Sequence, residues 1–352
     1  MKGEKKFYIS GIQQVGIGNP NLKKTWDYYR KNFGFDTPVF EEEAEAALML
    51  NYTGGNVQKR NAALCLNMNG GGGLEIWQFT EREVLWPTEE IYPGDFGIHS
   101  LKIKCIDIEK AYSHCKERKL KVLSEIRENS FFLLEDLFGN KIEIRESMDW
   151  FSNSNGIFGG VFGVAIGVSD MEKSLKFYCD LLGFSEVVSN KKGQFDDFNS
   201  WTGKNENYHR VIIEKSTAYQ GAFSQLLGPV QLELVQCLSS KPKKIFKNRF
   251  WGDPGFIHLC FDVVAMDVLK EKCESEGHPF TVDSANSFDM GEAAGRFSYV
   301  EDPDGTLIEF VETQKVPILK KVGWYLNLEK RNPLRPLPRW MIRTMGWSRI
   351  KD

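Results

Sequence analysis

Hydrophobic and polar positions alternate through Phe256-Ile-His-Leu-Cys-Phe-Asp-Val263. This period of two predicts a strand with His258, Cys260 and Asp262 on one face and Leu259, Phe261 and Val263 on the other. A turn, Asp302-Pro-Asp-Gly305, then leads into Leu307-Ile-Glu-Phe310, and Val230-Gln-Leu-Glu-Leu-Val235 carries a further carboxylate inside an apolar strand. A strand-interior carboxylate is costly to bury unless something compensates it. Glu233, His258 and Glu309 are therefore expected to meet one another or a cation.

The pattern also repeats. Ile12–Gly18 precedes a helical stretch ending Trp26-Asp-Tyr-Tyr-Arg-Lys-Asn-Phe-Gly-Phe35, and Phe162–Val168 precedes Ser169-Asp-Met-Glu-Lys-Ser-Leu-Lys-Phe-Tyr-Cys-Asp-Leu-Leu-Gly-Phe184. Ser169 and Glu172 have the spacing of a capping box, and Gly34 and Gly183 read as helix stops. Strands are predicted at Ala62–Leu66, Leu74–Phe79, Arg210–Ile213 and Gln231–Val235. Ser100–Cys105, with a helix over 107–119, matches 258–263 with a helix over 265–276. Glu135–Ile144 matches Glu301–Phe310. Each half thus reads as two strand-helix-strand-strand-strand units. The predicted fold is α+β, with four βαβββ units paired into two open, curved, mixed sheets.

The expected divisions are an N-terminal domain over 8–150, a C-terminal domain over 160–314 and a basic extension over 315–352, with 149–160 as linker. Gly70–Gly73 lies between two strands and reads as a hairpin loop, because a phosphate cradle needs a helix after it. The aromatic, charged stretch 185–209 is the expected lid over a cavity. From Lys315 on, ten basic residues (Lys320 and Lys321 among them) oppose Glu329 and Asp352, with tryptophans at 324, 340 and 347. Such a stretch either lies on an anionic membrane surface or packs on its own domain.

Composition narrows the class. The net charge of -3 gives no signal for nucleic acid, and there is no apolar run long enough to cross a membrane and no signal-peptide pattern at Met1–Lys6. Seven scattered cysteines without a C-x-x-C pair suit packed thiols in a cytoplasmic protein.

Strand parity predicts which side chains share a concave face. In the second half these are Gly163, Ala165, Gly167, Glu233, Val235, His258, Cys260, Asp262 and Glu309. Two carboxylates and one imidazole suit a divalent ion with open positions, or else a buried ion pair with His258 protonated. In the first half the face carries Gln14, Gly16, Gly18, Glu75, Trp77, Ser100, Lys102, Lys104, Glu143 and Arg145. Its cations can satisfy Glu75 and Glu143 without metal. His99 reaches this face only through a bulge. His114 and His278 are expected to face solvent, and His209 either the surface or the second concave face.

Phe177-Tyr-x-x-x-Leu-Gly-Phe184, Phe256-Ile-His258 and Glu301-Asp-Pro-Asp-Gly-x-x-Ile-Glu309 resemble motifs of the vicinal-oxygen-chelate superfamily, which holds glyoxalases, bleomycin-resistance proteins and extradiol dioxygenases. The resemblance implies four ligand positions per sheet: Gly163, Glu233, His258 and Glu309 in the second half, and Gln14, Glu75, Ser100 and Glu143 in the first. It implies one divalent ion (Zn, Fe, Mn, Ni or Co) on Glu233, His258 and Glu309, with Glu309 moving a proton. The implied activity is that of a lyase or isomerase on a small molecule chelated through vicinal oxygens. The alternatives are a ring-cleaving dioxygenase, which needs a second imidazole, and a non-catalytic binding protein using Trp77, Phe195 and Phe198.

Overall fold

The computed structural model describes residues 6–127, 131–152, 156–215, 219–285, 288–289, 294–319, 324–328 and 330–351. Linker residues 153–155, and Lys320, Lys321, Glu329 and Asp352 of the tail, lie outside the described residues.

Four units follow one another as the repeat predicts. The first comprises β1 (Tyr8–Gly18), α1 (Leu22–Phe33), β2 (Thr37–Glu45), β3 (Lys59–Leu66) and β4 (Gly73–Phe79). The second comprises β5 (Gly97–Cys105), α2 (Ile108–Glu117), β6 (Lys121–Val122), β7 (Phe131–Glu135) and β8 (Lys141–Glu146). The third runs β9 (Phe158–Gly167), α3 (Met171–Leu175), β10 (Glu186–Gly193), α4 (Asp196–Thr202), β11 (Tyr208–Lys215), α5 (Ser224–Leu227) and β12 (Val230–Cys237). The fourth runs β13 (Gly255–Val264), α6 (Met266–Ser275), β14 (Val282–Asp283), β15 (Phe288–Asp289), β16 (Ala294–Glu301) and β17 (Leu307–Leu319). The tail adds β18 (Trp324–Asn327) and α7 (Arg339–Arg343).

Local chemistry sets the boundaries. Asn21 caps α1 by accepting from Lys24 N–H, and Gly34 ends it at φ 75°, in the left-handed region glycine adopts freely. The cap of α3 is Asp170, one residue beyond the expected Ser169, and it accepts from the N–H groups of Glu172 and Lys173.

The pairing of units differs from expectation. One sheet runs β14-β16-β17-β13-β1-β4-β3-β2 with β15 and β18 at its side, and the other runs β10-β11-β12-β9-β5-β8-β7-β6. The first unit therefore joins the fourth, and the second joins the third; neither half of the chain closes a sheet on its own. The reason is visible at the centre of the first sheet. Antiparallel pairing of β1 with β13 sets Gly16 opposite His258, and a Cβ at Gly16 would lie 2.4 Å from the imidazole Cε1. The missing side chain at 16 is the space that His258 fills. The two sheets meet at the Gly70–Gly73 hairpin, where Gly72 N–H donates to Val161 O and Gly160 N–H to Gly70 O. A Cβ on Gly71 would lie 2.7 Å from the Gly160 carbonyl carbon, so this approach requires glycine.

The tail packs on the body: Leu337 and Ile342 join Leu66, Met68, Phe151 and Leu226 in a satellite apolar cluster. Trp340 and Trp347 stay exposed. No helix among the described residues is long and apolar enough to cross a membrane. All seven cysteines are free, and Cys65, Cys105, Cys115, Cys260 and Cys273 are buried.

Candidate metal centre

The shared register of β1, β4, β13 and β17 builds a four-residue cluster on the concave face of the first sheet. Gly16 pairs with Glu75 on one side and His258 on the other, while Cys260 pairs with both Gln14 and Glu309. Gln14, Glu75, His258 and Glu309 are all buried, His258 completely. His258 Nε2 lies 3.2 Å from Glu75 Oε2 and 3.2 Å from Glu309 Oε2, and Gln14 Nε2 donates to Glu309 Oε2 at 3.2 Å. Ligand atoms of Glu75, His258 and Glu309 lie mutually within 4.8 Å.

Glu233 is not part of this cluster. It projects from the second sheet, so of the predicted set only His258 and Glu309 meet, and Gln14 and Glu75 join them. The first-half set is likewise divided: Gln14 and Glu75 go to the first sheet, Ser100 and Glu143 to the second.

The cluster is polar, buried and incompletely bonded. Gln14 Oε1 is buried without a hydrogen-bond partner among the described residues, while Glu75 Oε2 and His258 Nε2 meet only within the cluster, at 3.2 Å from each other. Such orphaned groups are rare and call for an explanation, an ion being one. The two 3.2 Å distances match the ~3.0–3.4 Å edge of a coordination polyhedron with ~2.1 Å metal–ligand bonds. Burial alone would lower the His258 imidazole, but the charges of Glu309 and Glu75 outweigh it and raise the group. Burial likewise pushes Glu309 up, to about 7, with Glu75 adding to the effect and His258 opposing it. No Lys or Arg among the described residues pairs with either carboxylate, so a bound dication would supply the missing positive charge.

An aromatic wall surrounds the cluster. Trp77 and Trp251 meet edge to face at 4.3 Å, Trp251 stacks 6.2 Å from His258, and the Tyr299 hydroxyl lies 3.5 Å from His258 Nδ1. Both indole N–H groups are buried without hydrogen-bond partners among the described residues. A cavity of about 350 Å³ opens beside this wall, lined by Trp251, Ile257, Leu307, Phe246 and Tyr52 among others. Trp251 and Tyr299 escaped the sequence reading; position 299 on β16 is set beside Glu309 only by the pairing of β16 with β17.

The second sheet presents a contrasting cup. Lys102 Nζ lies 2.7 Å from Glu233 Oε2, 2.8 Å from Gln231 Oε1 and 3.7 Å from Glu143 Oε1. Arg210 Nε approaches Glu233 Oε1 at 2.6 Å and its other end bonds Asp197, while Arg145 Nε bonds Glu143 at 2.7 Å. Burial raises Glu233, but Arg210 and Lys102 outweigh it and hold the carboxyl far below its ordinary range. This cup supplies its own cations, as expected for Glu143. Gly163 contributes no ligand, and a Cβ there would lie 3.2 Å from Lys102 Cδ. Lys104 turns instead to Asp149.

Other expected positions also move. Stretch 185–209 folds as β10, α4 and the start of β11, and α4 covers the second cup through Phe198 rather than the candidate metal centre. His114 and His278 are half-buried against Phe158 and Phe177, and His209 bonds Asn190. Asp262 shares the face of His258 but sits beyond the cluster, where burial pushes it up to about 7 against hydrogen bonds from Ser10 and Gln13.

The profile of the Glyoxalase/Bleomycin resistance protein/Dioxygenase superfamily matches residues 11–144 and 161–310. This chain belongs to that superfamily. Glyoxalase I from Zea mays has a similar structure, with a TM-score of 0.52 at 14% identity over 87% of this chain and 92% of that one. A putative dioxygenase from Bacillus subtilis subsp. subtilis str. 168 gives 0.55 at 12% identity over 87% and 86%. No curated protein matches the sequence. At these identities the neighbours establish the glyoxalase-like fold, and this superfamily member must be read from its own site.

Proposed function

We propose that this superfamily member is a metal-dependent lyase or isomerase that moves a proton on a small molecule carrying vicinal oxygens. One observation carries the reading: four donor side chains converge in the first cup, and its two buried carboxylates pair with no Lys or Arg among the described residues. Gln14, Glu75, His258 and Glu309 would hold one divalent ion, and their mix of amide, carboxylate and imidazole suits Zn, Fe, Mn, Ni or Co. A bound ion supplies Lewis-acid stabilisation of the negative charge that develops on substrate oxygen.

The chain's own groups do the rest. Glu309 takes the proton at Oε2 and returns it, because it shares the position of the mobile carboxylate that the family resemblance implies. Gln14 steadies that oxygen through its Nε2–H donor. Tyr299 beside Nδ1 sets the plane of the His258 ring. Trp77 and Trp251 exclude water and offer two N–H donors to a polar substrate. Ring-cleaving oxygenation ranks second, since it employs two imidazoles and one carboxylate, and His258 is the only histidine among the described residues of this cluster.

Elemental analysis of untagged protein tests the site. About one equivalent of divalent metal is expected in wild type and in Glu233→Gln, and none in His258→Ala or Glu75→Ala. Metal-loaded protein in D2O should then exchange the carbon-bound proton of α-hydroxyketones, and Glu309→Gln should not. Oxygen uptake with a catechol, or unchanged exchange in Glu309→Gln, would overturn the assignment.

A further inference from the structure

The two sheets share one strand lattice. Gly16 pairs with His258 and Glu75 in the first; Ala165 pairs with Ser100 and Glu233 in the second. Cys260 pairs with Glu309, and Lys102 with Glu143. Each lattice also carries one bulged residue at the same place. In the first it is Ile257, between Phe256 and His258; in the second it is His99, between Ile98 and Ser100. A bulge re-aims a side chain that strict alternation would send to the other face. Ile257 enters the aromatic cluster of the first cup. His99 holds the equivalent place in the second.

There His99 is 3% exposed, and neither of its ring nitrogens has a hydrogen-bond partner among the described residues. Trp201 of α4 packs edge-on to it at 5.7 Å, and the buried indole Nε1 is equally unpartnered. His99 lines a pocket of about 410 Å³, whose walls include Trp86, Ile98, Phe138 and Phe256. At the rim, Lys141 bonds Glu135, and Lys243 bonds Glu89. Below, Lys102, Arg210 and Arg145 match Glu143, Glu233 and Asp197 in charge. With Glu90 also on the rim and only 3.9 Å from Lys141, this lining disfavours an anion, and a metal ion would compete with Lys102 for the same oxygens. The unmet demand is neutral: one acceptor and one donor on the imidazole, and one donor on the indole.

We infer that this pocket is a second, metal-independent binding site for an uncharged planar aromatic molecule bearing a hydroxyl, its oxygen between His99 and Trp201 and its ring against the aromatic wall. A phenolic O–H donates to one imidazole nitrogen, and its oxygen accepts from the Trp201 N–H. Burial keeps His99 neutral, with its pKa pushed down to about 4. Unlike the proposed function, this inference draws nothing from the first cup.

The test is calorimetric titration of the full chain with 2-naphthol, with 2-naphthoate as the charged control, in the presence of a chelator. One equivalent of saturable 2-naphthol binding is expected. His99→Leu and Trp201→Phe should each weaken it at least about tenfold, as loss of one buried hydrogen bond implies. His258→Ala should leave it unchanged, and 2-naphthoate should not bind. No saturation by ~1 mM, loss on chelation, equal loss in His258→Ala, or full binding by both His99→Leu and Trp201→Phe would overturn the inference. Trp201→Phe preserves the aromatic packing and keeps the test decisive if His99→Leu fails to fold.

Discussion

The contrast between the two cups predicts opposite behaviour for two chemically identical substitutions, Glu233→Gln and Glu75→Gln. Glu233 is buried with Lys102 at 2.7 Å and Arg210 at 2.6 Å. Removing its charge leaves two buried cations sharing Glu143 and Asp197. Breaking a buried pair in this way costs about 3–5 kcal/mol, and the amide oxygen that Gln retains puts the expected loss near the lower end, about 3 kcal/mol. Glu75 is buried with an imidazole and a second carboxylate, Glu309, nearby and no Lys or Arg paired to it among the described residues. In metal-free protein its charge is poorly compensated, so Gln should cost less than about 1 kcal/mol or stabilise. Denaturant unfolding with chelator present measures both, provided the m-value is unchanged. Metal content should show the reverse order: retained in Glu233→Gln, and weakened at least about 100-fold in Glu75→Gln. A neutral Glu233→Gln that loses metal would refute the partition of the carboxylates between the cups.

Three further outcomes follow from the same geometry. Gly16→Ala should displace the His258 ring and weaken metal binding at least about tenfold, while the fold persists; unaltered metal content would show that the ring can shift freely. Although burial raises Glu233 and Glu143, their cations hold both below the ordinary value of 4.5. Their stabilisation is therefore complete above pH 4.5 and lost as pH falls below it, and Glu233→Gln should flatten that part of the stability–pH curve. In the tail, Ile342→Ala should cost about 2–4 kcal/mol through the satellite cluster, whereas Trp347→Ala, 73% exposed, should stay within about 0.5 kcal/mol; equal effects on unfolding would contradict the packed tail.

Most of the fold was legible because its signals are local. Alternation located β3, β4, β11, β12 and β13, and helix spacing located α1, α2 and α6. The repeat gave four units because each unit reuses the same strand-helix order. Caps failed by one residue at α3, where Ser169 and Asp170 are both competent and only the backbone decides. The bulges at Ile257 and His99 were harder, because a bulge reverses the parity from which facing was read. Strict alternation sets His99 outside the cup, within reach only by the irregularity that the chain in fact uses.

The site failed at one step, and the reason is general. Alternation states which residues share a face of a strand, but carries no information on which strand lies beside it. Joining neighbouring units gives two defective sites: Ser100 spoils the first, and Gly163 the second. Joining the outer and inner units instead gives one complete donor set, Gln14, Glu75, His258 and Glu309. It also collects both defects in the other sheet, together with Lys102 and Arg210. The second arrangement is more self-consistent, since Glu143 and Glu233 then face built-in cations while Glu75 and Glu309 meet His258 and Gln14 as candidate metal donors. Gly16 and Ala165 agree with it, for the residue that must clear space lies opposite the imidazole, and the residue with a Cβ lies opposite Ser100. Charge and ligand completeness, weighed across alternative pairings of a repeat, would thus have selected the observed topology, where strand pattern alone could not.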